Sequence, residues 1–176
     1  LATTGIAYFA NSSAGYLAIY KCWFNNTGAS TTASTSSSTS TIDIQETYFK
    51  NAITTSAGTT FISARNSSFS LSTNTTAITT GGTGGNNFSG CLFSSGTASC
   101  MSIGAGTSVV LERCAFTSTN TNVITGAGSL SYGLISFAGS GSITSTVNTT
   151  TQIPFVSSND AVKIVTPGAY PYTTVP

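Results

Sequence analysis

Val109 to Phe116 reads V-V-L-E-R-C-A-F, which reduces to apolar, x, apolar, x, x, Cys, x, Phe. The same frame returns as Leu17–Phe24 (L-A-I-Y-K-C-W-F), Ile42–Phe49 (I-D-I-Q-E-T-Y-F) and Ile62–Phe69 (I-S-A-R-N-S-S-F). It returns again as Asn86–Phe93 (N-N-F-S-G-C-L-F) and Leu130–Phe137 (L-S-Y-G-L-I-S-F). The closing phenylalanines fall at 24, 49, 69, 93, 116 and 137, so the spacings are 25, 20, 24, 23 and 21 residues. A repeat of this length points to a solenoid, in which each unit buries its apolar side against its neighbours.

Within the frame the apolar columns lie seven, five, two and zero residues before each Phe. Residues two apart on a strand share a face. The gap of three in the middle therefore inserts one residue too many, and a bend is expected at the fourth and third positions before Phe. Each frame is two short strands meeting at a corner, both facing one core. After each Phe comes a polar turn and a second apolar point at Ile53, Ile78, Ile103 (with Met101), Ile124 and Ile143. A glycine turn follows, at Gly15, Gly58, the Gly81–Gly85 cluster, Gly106 and Gly128, which suits tight corners at positive φ. The expected fold is all-β, a right-handed parallel β-helix (β-solenoid) of about six coils of 20–25 residues over residues 1–147.

Two stretches depart from the frame. Thr27–Thr41 carries no side chain bulkier than Thr and reads as an ordered, protruding loop. From Val147 the frame fails, and all four prolines lie at 154 or beyond. Residues 148–176 read as a non-repeating Pro/Tyr-rich exit segment that links to a partner chain or a following domain. The chain opens on Leu1 and closes on Pro176, and both ends read as joins to something larger.

Composition narrows the function classes. Of 176 residues only 5% are charged and the net charge is +1, so nothing provides an electrostatic footprint for nucleic acid or an anionic membrane. No apolar run approaches the ~20 residues that span a bilayer. With no histidine, Ser-His and Cys-His machinery is excluded within this chain. The missing histidines and the lack of a C-x-x-C pair argue against zinc, so neither metal nor cofactor is expected. The carboxylates Asp43, Glu46, Glu112 and Asp160 do not fall into a facing pair, which glycosidase chemistry requires. No catalytic residue is assigned and no enzymatic activity is expected.

Five of the nine charged residues, Lys21, Glu46, Arg65, Glu112 and Arg113, fall at the bend positions, and Lys21, Glu46 and Arg65 could form an alternating ladder. Cys22, Cys91 and Cys114 share the inward column two before Phe, with Cys100 on the next strand. Adjacent coils bring Cys91 and Cys114 to within about 5 Å, near enough for a disulfide; stacked reduced thiols are the other reading. The outward residue beside Phe is Trp23 in one coil and Tyr48 in the next, flanked by Lys21, Glu46 and Lys50. Exposed aromatics beside polar groups grip a sugar face or another protein surface, so these five residues form the candidate binding patch, for a glycan or for subunit packing.

The I-D-I-Q-E-T-Y-F and V-V-L-E-R-C-A-F frames resemble the L-x-L-x-N-C-x-F coil of right-handed parallel β-helix proteins, over residues ~6–147. The closing N-T-T-T-Q and T-P-G-A-Y-P-Y-T-T resemble the ends of β-helical shafts in viral and phage tail fibres and other virion appendages. That resemblance implies a trimeric homo-oligomer at the extracellular virion surface, joined to other appendage proteins and in some cases touching a cell-surface glycan. The bend Asn of the coil is present only as Asn66, and no tailspike-like carboxylate pair matches. The implied role is a structural, receptor- or surface-facing segment of an extracellular appendage such as a tail fibre. The alternatives are a glycan-degrading tailspike or lyase with an intersubunit site, and a bacterial surface adhesin.

Overall fold

The six frame phenylalanines form one continuous stack. In the computed structural model, described over residues 10–11, 15–24, 34–35, 40–50, 52–54, 60–71, 75–138 and 141–152, every regular element is a strand, numbered β1 to β20 along the chain. All pairings are parallel, between one coil and the next. The long wall holds seven strands: β2 (Gly15–Tyr20), β5 (Ser40–Gln45), β8 (Thr60–Arg65), β11 (Gly85–Ser89), β14 (Ser108–Glu112), β17 (Ser129–Gly133) and β20 (Asn148–Gln152). The second wall holds six: β3 (Trp23–Phe24), β6 (Tyr48–Phe49), β9 (Ser68–Ser70), β12 (Leu92–Ser94), β15 (Ala115–Thr117) and β18 (Ser136–Ala138). The third holds five: β7 (Ile53–Thr54), β10 (Ile78–Thr80), β13 (Met101–Ile103), β16 (Asn122–Gly126) and β19 (Ser142–Ile143). The short strands β1 (Ala10–Asn11) and β4 (Ser34–Thr35) pair with each other. The chain is a parallel β-solenoid.

The four inward columns sit where the frame puts them, except that Cys22, expected to face inward, is exposed. Ring centroids along the phenylalanine column are 4.7 Å apart for Phe24–Phe49, 5.3 Å for Phe49–Phe69, 5.2 Å for Phe69–Phe93, 4.8 Å for Phe93–Phe116 and 5.4 Å for Phe116–Phe137. Those spacings match the ~4.8 Å step between parallel strands, so strand pairing alone brings the rings into contact. Ile42, Ile44, Ile62, Ala64, Phe88, Val109, Leu111, Leu130 and Tyr132 fill the other two long-wall columns and are buried. Asn86 is the polar exception in an apolar column. Its Oδ1 accepts the Ile62 N–H at 3.1 Å and its Nδ2 donates to the Ser108 carbonyl at 3.5 Å, which satisfies the buried amide.

The bend is a column of left-handed residues. The third position before each Phe has positive φ in every coil: Lys21 (52°), Glu46 (48°), Asn66 (48°), Gly90 (63°), Arg113 (52°) and Leu134 (53°). A side chain other than Gly or Asn costs about 1–2 kcal/mol there, so the corner is held by its surroundings. Part of that support comes from the column two before Phe. Cys22 Sγ, Thr47 Oγ1, Ser67 Oγ, Cys91 Sγ and Cys114 Sγ each donate to the carbonyl two residues back, at 3.2, 2.9, 2.8, 3.4 and 3.4 Å. The carbonyls of Gln45, Arg65, Ser89 and Glu112 also accept the N–H of the left-handed residue in the preceding coil. The Cys/Thr/Ser pattern is thus a side-chain clasp on the corner.

Three expectations change in detail. In the third wall Met101, not Ile103, stands in register with Ile78 and Ile124, while Ile103 faces Thr80 and Gly126. Gly106 takes the expected positive φ of 80°. Gly128 does not; its need is space, because a Cβ there would meet the Gly104 and Thr107 carbonyl oxygens at 2.5 and 2.6 Å. The sheet also outlasts the frame, since β20 pairs with β17 beyond residue 147, with a register shift between Leu130 and Ser131. The rest of the exit segment, most of the Thr27–Thr41 loop and Gly58 lie outside the described residues.

Candidate functional site: two outward patches on the first coils

The second wall carries the outward column Trp23, Tyr48, Ser68, Leu92, Ala115 and Ser136 in strict register. Trp23 is 72% exposed and Leu92 56%. Trp23 meets Tyr48 edge to face, with centroids 5.4 Å apart at 65°. Ser68 has only a hydroxymethyl between Tyr48 and Leu92, and the adjoining corners are Asn66 and Gly90. The short side chains leave an open groove of about 510 Å³, walled by Lys21, Trp23, Glu46, Tyr48 and Leu92.

Four of the five expected patch residues come together here; Lys50, half-buried beyond Phe49, does not line the groove. Lys21 Nζ lies 3.6 Å from Glu46 Oε2, an exposed pair that contributes at most about 1 kcal/mol. The charge ladder stops there. Arg65 stands one column over, opposite Gln45 and Ser89, and Glu46 is followed by Asn66. The other ion pair among the described residues, Glu112 with Arg113 at 4.0 Å, lies within one corner.

A Cys91–Cys114 bridge is not formed. Both are free thiols, as are Cys22 and Cys100. Cys114 shares a hydrogen bond with Cys91 that pushes its own thiol up and Cys91 down, and burial adds to the rise at Cys114. Burial pushes Cys100 up to about 11. Cys91 and Cys114 are stacked core thiols that donate to backbone carbonyls, whereas Cys22 in the same column is exposed. Among the described residues no three His, Cys, Asp or Glu side chains gather as a metal site.

The long wall carries a second patch that the sequence reading passed over. Tyr16 and Tyr20 project outward from β2 on either side of Ala18, and Ala18 is in register with Asp43 on β5. The two hydroxyls converge on Asp43 Oδ2, at 3.0 Å from Tyr16 and 2.9 Å from Tyr20, and Gln45 Nε2 donates to the same oxygen at 3.1 Å. The hydroxyls lie 3.5 Å from each other. Burial pushes the Asp43 carboxyl up, but the hydrogen bonds from Tyr20, Tyr16 and Gln45, with the Arg65 charge, outweigh it and hold the group below its ordinary value. Tyr20 is pushed upward by its bonds to Tyr16 and then Asp43. Asp43 Oδ1 is closed to solvent and has no hydrogen-bond partner. The signal was available: in the frame register Tyr16 and Tyr20 flank the position below Asp43, but it appears only once consecutive coils are aligned.

Fold and surface together define a parallel β-solenoid whose aromatic surface is concentrated on its first coils. No family model, no curated protein and no solved structure matches the chain.

Proposed function

We propose that this chain is a structural, surface-facing β-solenoid segment of an extracellular appendage, of the virion-fibre kind, whose groove at Trp23, Tyr48 and Leu92 packs against further copies of the same chain. The observation that carries the reading is the groove itself. It is an exposed aromatic and aliphatic strip on the second wall, where the other outward residues in the column are Ser68, Ala115 and Ser136. Apolar side chains clustered at a surface gain by being covered, and Trp and Tyr are enriched where protein surfaces meet. A neutral stack of uniform coils also suits a shaft, which needs length and rigidity more than chemistry. Trimeric assembly and the virion surface are what the likeness of the closing stretch to viral shafts implies.

Sedimentation equilibrium on the intact chain tests this reading. A mass near three protomers is expected for the wild type, with dissociation on Trp23→Ala. A wild-type monomer at all concentrations contradicts it. Release of reducing ends from host glycans by the purified chain would instead favour the depolymerase reading.

A further inference from the structure

We propose that the outward face of the long wall around Asp43 is a binding site for a neutral saccharide, separate from the second-wall groove and independent of the appendage reading. The register lays out a small grid. Tyr16, Ala18 and Tyr20 stand over Thr41, Asp43 and Gln45, which stand over Phe61, Ser63 and Arg65. Three of its corners are exposed aromatics: Tyr16 at 64%, Tyr20 at 48% and Phe61 at 41%. The fourth is the Arg65 guanidinium. Between them stand the small side chains Ala18, Thr41 and Ser63, beside the central carboxylate on which the tyrosine hydroxyls close.

The chemistry of the grid matches a pyranose. A sugar ring has a C–H face that packs on aromatic rings and hydroxyls that both donate and accept. The rings of Tyr16, Tyr20 and Phe61 supply the apolar contacts, Gln45 and Arg65 supply donors, and Asp43 supplies the acceptor. Three donors on Oδ2 fix the carboxylate in one orientation. Oδ1 is left as an acceptor without a partner, covered in this structure. A ligand hydroxyl reaches it once a tyrosine side chain swings aside, and both tyrosines sit at the surface with their hydroxyls on Oδ2. With one tyrosine displaced, the other tyrosine and Gln45 still hold the carboxylate, which limits the ordering cost of binding.

Charge and size select the ligand class. Asp43 and Arg65 balance each other, so the grid favours neither a polyanion nor a polycation. Five residues along a strand and three strands across cover about 13 by 10 Å, the footprint of one or two sugar rings. A stable protein–protein interface needs about 800 Å² from each side, and past the third strand the neighbouring outward residues shrink to Gly85, Asn87 and Ser89.

An array of malto-, cello-, chito- and manno-oligosaccharides with acidic glycans as controls, followed by calorimetric titration of the strongest neutral hit into the intact chain, tests the proposal. At least tenfold weaker binding is expected for Asp43→Asn. The same is expected for Ser63→Glu, which places a second carboxylate in register with Asp43; circular dichroism confirms that each variant is folded. Ser136→Ala, an outward position on the second wall remote from the grid, should bind as the wild type does. Three results overturn the proposal: no neutral saccharide bound, binding only to acidic glycans, or wild-type affinity in folded Asp43→Asn and Ser63→Glu.

Discussion

The first two coils and the two that run from β14 to β18 share an interior and differ on the outside. Inside, Phe24 and Phe49 at one end correspond to Phe116 and Phe137 at the other. Outside, the first pair presents Tyr16, Tyr20, Trp23, Asp43 and Tyr48, while the later pair presents Ser108, Glu112, Ala115, Ser131 and Ser136 at the matching register. One backbone solution therefore serves both, and the outer face is free to vary because it carries little of the packing. The repeat holds the coils together, and both proposed recognition surfaces lie at its outward exceptions.

The inside–outside contrast can be broken most sharply at neighbouring residues. Phe93 is 1% exposed in the middle of the ring stack and Leu92 is 56% exposed beside it. Phe93→Ala is expected to destabilise the chain by about 3–5 kcal/mol and Leu92→Ala by no more than about 0.5 kcal/mol. Urea midpoints measure both, and comparable losses would contradict the assignment of faces.

The clasp on the corner is the next largest effect. Thr47→Val removes the bond to the Gln45 carbonyl and the acceptor of the Cys22 N–H, at 2.9 and 3.3 Å. A loss of about 1–3 kcal/mol is expected because a backbone donor loses its partner, read as a lower urea midpoint. Leu134 shows the same corner from the other side. It holds a φ of 53° with a branched side chain that is 50% exposed. Leu134→Asn is expected to stabilise the chain by about 1 kcal/mol, a rise in Tm of about 2–4 °C; a fall in Tm would mean that the leucine is packed against something.

The smallest effect is at Asp43, whose folded carboxyl lies below its ordinary value. Its bonds stabilise the fold above the unfolded pKa near 3.9, and that contribution is lost as pH falls through the lower folded value. The stability advantage of the wild type over Asp43→Asn, followed by urea titration, should shrink as pH drops below about 4. A constant difference from pH 6 to pH 2 would show that the three hydrogen bonds on Oδ2 do not favour the charged form.

Much of this architecture is legible in the sequence because the strand period forces it. Once Phe and its partners at minus seven, minus five and minus two recur, alternation decides which side chains go inside, and the extra residue decides where the chain turns. The left-handed residue could not be named from its side chain, because Lys, Glu, Asn, Gly, Arg and Leu all occupy it. Backbone and clasp dictate that conformation, so residue preference is overridden. The cysteines mislead for a related reason: Cys, Thr and Ser are interchangeable as donors to a carbonyl two residues back, and a column of mixed type resembles a redox motif only where it happens to be Cys. The Trp23–Tyr48 contact was legible because both residues sit directly before Phe. The Asp43 cluster is legible only once consecutive coils are aligned, because its tyrosines approach diagonally from the neighbouring strand.

The account rests on the register from coil to coil, and a cross-link tests it most directly. Leu92 and Ala115 are paired partners on adjacent outward strands, about 4.8 Å apart at Cα and inside the disulfide range. In a Cys22→Ser background, Leu92→Cys with Ala115→Cys should close to a disulfide under mild oxidation, whereas Leu92→Cys with Thr117→Cys, displaced by about 7 Å along the strand, should stay reduced. Closure of the displaced pair, or failure of the first pair to close, would contradict the stacked frame on which the fold and both proposed surfaces depend.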